Sequence, residues 1–136
     1  MTVFVLDNSV AVRWCFENRT HPYADTALQT LAAGQAIVPV LWRYEVSAVL
    51  ATAQKDGILT DAKAGAFLRT LQLLNIQLDR DGADYILTDV HRLAVAHRLT
   101  SYDAAYLELA MRKKLSLATL DEELIRACNR AGHPLL

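Results

Sequence analysis

Apolar positions along this chain follow two rhythms. Short unbroken apolar runs, bounded by polar or turn-forming residues, alternate with longer stretches in which apolar residues return every three or four places. The first rhythm predicts strands buried on both faces and the second predicts amphipathic helices. Val3-Phe4-Val5-Leu6 opens the pattern and runs straight into Asp7-Asn8-Ser9. A helix through about Glu17 follows, then the turn-rich Asn18-Arg19-Thr20-His21-Pro22, where Thr20 can cap and Pro22 can enter the first turn of a second helix. Ala24, Ala27, Leu28 and Leu31 form that helix's apolar stripe, and Gly34 is expected to end it in the left-handed conformation.

Ala36-Ile37-Val38-Pro39 predicts a second strand, closed by a residue that cannot donate to a ladder. A long helix from about Trp42 to Asp56 comes next, with Trp42, Val46, Val49, Leu50 and Ala53 inward and Gly57 as its stop. Thr60 opens another, with Ala64, Phe67, Leu68 and Leu71 facing the core. Ile76-Gln77-Leu78 is the third strand, and Asp81 to Arg98 is expected to be helical with Ile86, Leu87, Val90, Leu93 and Ala94 inward. Thr100-Ser101-Tyr102-Asp103 leads into a helix ending near Lys113. Leu115 to Ala118 is the fourth strand, Leu120 to Ala131 the last helix, and Pro134-Leu135-Leu136 a candidate edge strand. No hairpin signal of the Asn-Gly kind occurs, so alternating strands and helices imply a parallel sheet. The expected fold class is α/β, a doubly wound parallel sheet of four to five short strands with helices on both faces, in a single domain over 1–136.

Composition narrows the function classes. With 53 % hydrophobic and 21 % charged residues, the chain is neither disordered nor fibrous. A formal net charge of −1 exerts no global pull on nucleic acid, so a polyanion would have to be held by local basic groups or by metal. Arg112-Lys113-Lys114 is the one dense basic run, at a place where a helix C-terminus favours cations in any case. Cys15 and Cys128 lack ligand or redox spacing and read as small buried hydrophobes of a reducing compartment. No apolar run approaches the length of a membrane span, and no leader precedes the first strand, which points to the cytoplasm.

The informative residues are acids placed where an apolar core is expected. Asp7 ends the first strand, at the edge where open α/β sheets keep their ligands; its plain alternative is an N-cap, with Ser9 as rival cap. Glu45 interrupts the apolar stripe of its own helix, and the same-helix neighbours Leu41, Trp42, Ala48 and Val49 offer it no base. A buried carboxylate in that position must neutralise, pair at long range or bind a cation. Asp103 shares a face with Tyr106, Leu107 and Ala110, although Thr100 three residues earlier allows a capping box. Asp121 follows the fourth strand in Ala118-Thr119-Leu120-Asp121, where Thr119 could cap toward Glu122. If the four converge, each pair about 5 Å apart repels by roughly 3 kcal/mol at an effective dielectric near 20. A divalent cation removes that penalty. Oxygen-only ligands suit Mg²⁺ or Mn²⁺, and His21, His91, His97 and His133 show no zinc spacing.

Leu6-Asp7-Asn8-Ser9, Pro39-Val40-Leu41-Trp42-Arg43-Tyr44-Glu45-Val46, Ser101-Tyr102-Asp103-Ala104-Ala105-Tyr106-Leu107 and Ala118-Thr119-Leu120-Asp121 together resemble the motifs of PIN-domain nucleases, most closely the VapC-type toxin ribonucleases of bacterial toxin–antitoxin pairs. The resemblance runs nearly end to end. It departs at Asn8, where Ala or Ser is commoner, and at Ser47-Ala48, where an Asn often supports the acids. It implies a Mg²⁺-dependent (or Mn²⁺-dependent) endoribonuclease whose catalytic acids are Asp7, Glu45, Asp103 and Asp121. Asp7 and Asp103 would be the principal metal ligands and Asp121 a further direct or water-bridged one, while Glu45 would act through a metal-bound water or orient the attacking one. Ser9 and Thr119 would fix the carboxylates. Arg13, Arg43, Arg112, Lys113 and Lys114 are candidate RNA contacts. The resemblance further implies a homodimer, through the helices from Trp42 to Leu74, and a cognate antitoxin that neutralises the enzyme.

Two rivals remain. Phosphoryl transfer with Asp7 as nucleophile would need an acid two residues on, where Ser9 stands, or a receiver-type acidic pair and Lys, which are lacking. The other is a catalytically silent PIN-like module that binds RNA or a partner, with the acids as remnants.

Overall fold

The computed structural model describes residues 1–16 and 21–136. Strand β1 (Val3–Leu6) is the centre of the molecule, with Phe4, Val5 and Leu6 fully buried. It pairs in parallel with β2 (Gln35–Val38) on one side and β4 (Ser116–Ala118) on the other, and β3 (Ile76–Leu78) pairs in parallel with β2. The order β3-β2-β1-β4 means the chain winds outward through β2 and β3, then crosses back to the far side of β1. The reversal falls between β1 and β4, so the carboxyl ends of those strands form the switch point.

Helices packed around this sheet are α1 (Asn8–Ala11), continued by a tighter turn over Val12–Trp14, α2 (Pro22–Ala32), α3 (Val40–Lys55), α4 (Asp61–Leu73), α5 (His91–His97), α6 (Ser101–Lys113) and α7 (Glu122–Ala131). Capping follows residue chemistry. The Thr60 hydroxyl accepts from Lys63 N–H and that of Thr100 from Asp103 N–H, while Gly57 and Gly132 end α3 and α7 at positive φ. The doubly wound parallel sheet expected from the two rhythms is observed, with four strands. No helix among the described residues is long and apolar enough to cross a membrane.

Several local expectations are corrected. The first helical run ends at Trp14, short of the expected end near Glu17; Glu17 and the Thr20 cap lie outside the described residues, and α2 is capped by His21, whose Nδ1 accepts from Tyr23 N–H. Gly34 does not adopt positive φ. Its value is space, because a Cβ there would stand 2.2 Å from the Thr2 carbonyl oxygen where the chain enters β2. Asp81 to Arg98 is not one α-helix. It runs as a 3₁₀ turn (Gly82–Tyr85), a π-helical turn (Ile86–Val90) and then α5, so Ile86 and Leu87 face solvent while Val90 is buried. Leu68 is also exposed, and Leu28, Val49, Leu93 and Ala94 are only half-buried. The last helix begins at Glu122 and is capped by Asp121, not Thr119. The terminal Pro134-Leu135-Leu136 makes a single parallel bridge, Leu135 to Leu117, and no further strand. Cys128 is buried, but Cys15 only partly so.

Candidate active site

At the switch point, the Asp7 N–H donates to the Ala118 carbonyl, drawing the ends of β1 and β4 together. Asp7 holds the extended backbone of an N-cap, yet its side chain caps nothing. Its Oδ2 accepts from the hydroxyls of Ser9 (2.6 Å) and Thr119 (2.8 Å), and its Oδ1 from the Asn8 amide at 3.3 Å. The same hydroxyls accept from the next strand end: Ser9 Oγ from Leu120 N–H and Thr119 Oγ1 from Asp121 N–H. Each hydroxyl thus donates to Asp7 and accepts from the segment carrying Asp121, which orients both acids. Asp7 is 2 % exposed.

The other acids arrive from three helices. Asp121 caps α7, with its Oδ1 accepting from Glu123 N–H and Leu124 N–H. Asp103 stands in the first turn of α6, tied down by Thr100. Glu45 projects from α3, and the Tyr106 hydroxyl on α6 donates to its Oε1 at 2.6 Å. The long-range partner that Glu45 required is therefore a phenol, supplied 61 positions along the chain.

Electrostatics show that the four acids share one neighbourhood. Burial pushes the Asp7 carboxyl above the usual carboxylate range; Ser9 and Thr119 pull it back, and the Asp121 charge pushes it up again. Glu45 is raised by burial, lowered by the Tyr106 hydrogen bond, and raised by the charges of Asp7 and Asp103. Asp103 is pushed up to about 6 by burial and then by Asp121 and Asp7, against a hydrogen bond from Thr100. None of the four makes an ion pair among the described residues, whose salt bridges join Arg92 to Asp89, Arg112 to Asp79 and Glu108, and Arg126 to Glu123.

A donor set of carboxylates without a cationic partner fits a hard divalent cation by its chemistry. It is not closed on a point: among the described residues, no three His, Cys, Asp or Glu side chains are grouped tightly enough to hold a metal ion. Like charges in a partly desolvated cleft have reason to stand apart.

The basic residues divide. Arg13 follows α1 and Arg43 lies in the first turns of α3, both exposed and within two helical turns of a strand end. Lys113 and Lys114 end α6, ten residues beyond Asp103 or about 15 Å of helix. There the chain turns into the start of β4, at the opposite edge of the sheet. Arg112 is committed elsewhere, to Asp79 and Glu108 and over the Tyr85 ring.

Three side chains at the cleft escaped the sequence reading: Asn8, Tyr106 and Glu123, whose charge also reaches Asp103. Tyr106 had a readable signal, since it lies one turn beyond Asp103 on the same face. Asn8 and Glu123 had none beyond adjacency to an acid.

A parallel α/β sheet with acids gathered at its switch point defines a class of fold and site, and comparison with known proteins places the chain within it. The family model for the PIN domain matches residues 4–129, and the chain belongs to that family. Among solved structures, PAE2754 from Pyrobaculum aerophilum aligns with a TM-score of 0.68 at 22 % identity, over 93 % of this chain and 84 % of that one. VapBC2 from Rickettsia felis, solved bound to a DNA fragment from its promoter, aligns at 0.68 and 12 % identity over 99 % and 97 %. A toxin–antitoxin complex from Klebsiella pneumoniae aligns at 0.59 and 19 % identity over 87 % and 86 %. At these identities the likeness is one of fold. No curated protein sequence matches.

Proposed function

We propose that this chain is a metal-dependent endoribonuclease toxin of the VapC type, neutralised by a cognate antitoxin. The carrying observation is Asp7: a buried carboxylate, oriented by two hydroxyls, facing three further acids and no base. PIN membership supports the nuclease reading, and the Klebsiella toxin–antitoxin neighbour supports an antitoxin partner. For such a toxin the cytoplasm is the place of action, and a homodimer through α3 and α4 is the assembly proposed.

Asp7, Asp103 and Asp121 would hold Mg²⁺ or Mn²⁺. When bound, the cation supplies positive charge for the developing phosphorane and lowers the pKa of water. Ser9 and Thr119 hold the Asp7 carboxylate in one rotamer through Oδ2, leaving Oδ1 with only the long Asn8 contact. Glu45 accepts a proton from, or orients, the attacking water. Arg13 and Arg43 would receive backbone phosphates.

The rival is a silent PIN-like binding module, favoured by the lack of a tight metal-ready group among the described residues. One experiment separates them: RNA cleavage by antitoxin-free protein with Mn²⁺ or EDTA, beside Asp7→Asn, with melting followed against Mn²⁺. Metal-dependent cutting abolished by Asp7→Asn is expected. Absence of both cutting and any Mn²⁺-induced rise in Tm would leave the binding module.

A further inference from the structure

Three of the four acids are placed by the backbone on which they sit. Asp7 ends a strand, Asp121 caps a helix, and Asp103 is tethered in the first turn of α6. Glu45 has no such help. It stands in the second turn of α3 on a longer and more flexible side chain, half-buried, with no local partner. Something outside α3 must select its rotamer.

Two side chains do so. Tyr106 is fully buried, so packing locks its ring, and its hydroxyl meets Glu45 Oε1 at 2.6 Å. Packing alone would favour Phe at this position, because a buried hydroxyl is costly unless it is bonded. Glu45 supplies that bond to the hydroxyl. On the other side stands Asn8, next to Asp7. Its amide donates to Asp7 Oδ1 at 3.3 Å, and its side chain stands near enough to Glu45 and Tyr106 to favour the charged form of each slightly. It sets a neutral donor between two carboxylates that would otherwise repel. α6 accordingly delivers Asp103 to the cleft and, one turn on, the strut for Glu45.

We propose that Tyr106 and Asn8 are positioning residues that act through Glu45, fixing its carboxylate for the cleavage reaction. This rests on the nuclease reading above. The test uses the full chain and the single variants Tyr106→Phe, Asn8→Ala and Glu45→Gln. It adds the two doubles that place Tyr106→Phe and Asn8→Ala in the Glu45→Gln background. Each protein is assayed for kcat and KM on RNA with Mn²⁺, and for the Mn²⁺ concentration that raises Tm halfway. Tyr106→Phe and Asn8→Ala are expected to lower kcat about 10- to 100-fold, the range for partners that orient a metal-site carboxylate, with KM unchanged and the Mn²⁺ midpoint moved upward. In the Glu45→Gln background Tyr106→Phe should have no further effect, since residues acting through one group are not additive with its loss, and Asn8→Ala should keep only the smaller part that runs through its Asp7 contact.

Should Tyr106→Phe melt lower yet keep full kcat and the wild-type Mn²⁺ midpoint, the phenol is merely structural and the proposal falls. An undiminished effect in the Glu45→Gln background also overturns it, because the action would then bypass Glu45. If Tyr106→Phe does not fold, Asn8→Ala, on the half-buried cleft wall, decides by the same criteria. A wild type that neither cuts RNA nor responds to Mn²⁺ sinks the nuclease reading together with this one. A wild type that does both, beside indistinguishable variants, sinks this one alone.

Discussion

Asp103 carries a pH dependence whose sign can be worked out. Its carboxyl rises from the ordinary 3.8 to about 6 in the folded chain. Within that window the folded chain keeps a proton that the unfolded chain has released, so stability from this group is complete below the lower value and lost as pH rises through the upper one. Asp7 and Glu45 shift in the same direction. The metal-free protein should therefore melt at progressively lower temperature between about pH 4 and about pH 6. Asp103→Asn should flatten that slope and raise Tm at neutral pH. Saturating Mn²⁺, which binds the ionised carboxylates, should reverse it. A metal-free Tm that climbs with pH over this interval would contradict the mutual repulsion of the acids. At this scale the sequence already exposed the anomaly, since an acid in an apolar stripe without a basic neighbour can be seen from spacing alone, as at Glu45. What spacing could not show was the answer. Asp7 looked like a cap, and only the fold brings Thr119, from 112 positions away, to claim its carboxylate.

Among the elements, the segment from Gly82 to His97 departs furthest from simple periodicity. A 100° wheel assumes one helical pitch, but here the backbone passes from 3₁₀ to π to α geometry within three turns, so Ile86 and Leu87 rotate outward. The start of this segment is also held by long-range contacts, which no local window contains. Arg112 donates to both Asp79 oxygens and to Glu108, and lies 4.5 Å from the centre of the Tyr85 ring. It thereby pins the end of β3 and the 3₁₀ turn to α6. Its side chain is 16 % exposed and those of Asp79 and Glu108 only 2 % and 6 %. Arg112→Ala would strand two buried carboxylates and should cost about 3 kcal/mol in urea unfolding, at the lower end for a broken buried pair. Arg112→Lys should recover only part of it, because an ammonium cannot serve both acids with a planar fork. A loss below about 1 kcal/mol would mean that the pairing is no stronger than a surface one. The regular elements were legible because they obey one period throughout: β1, α3 and α6 run close to their expected bounds.

Across the whole molecule, charge limits how RNA can be held. The net charge of −1 exerts no global pull on RNA, and the one dense basic run divides between an internal clamp at Arg112 and the far end of α6 at Lys113 and Lys114. That division was not available from the sequence, where the run is simply contiguous. The direction of α6 relative to the sheet, and the pairing of Arg112, decide what each cation can reach. Exposed arginines near the carboxyl ends of the strands are Arg13 and Arg43, with Arg80 beyond β3 and Arg98 ahead of α6. Each phosphate neutralised on a single strand contributes about −0.7 to the slope of log K against log salt, so four contacts give a slope no steeper than about −3. Binding of single-stranded RNA to Asp7→Asn protein, titrated with salt at fixed Mn²⁺, should show such a shallow slope. Arg13→Ala with Arg43→Ala should flatten it further and weaken binding, whereas Lys113→Ala with Lys114→Ala should change neither. A steep slope that collapses when the two lysines are removed would place the RNA across the opposite edge of the sheet, away from the carboxylates. Binding that vanishes on adding EDTA, with the arginine variants unaffected, would instead assign the phosphate contact to the cation alone.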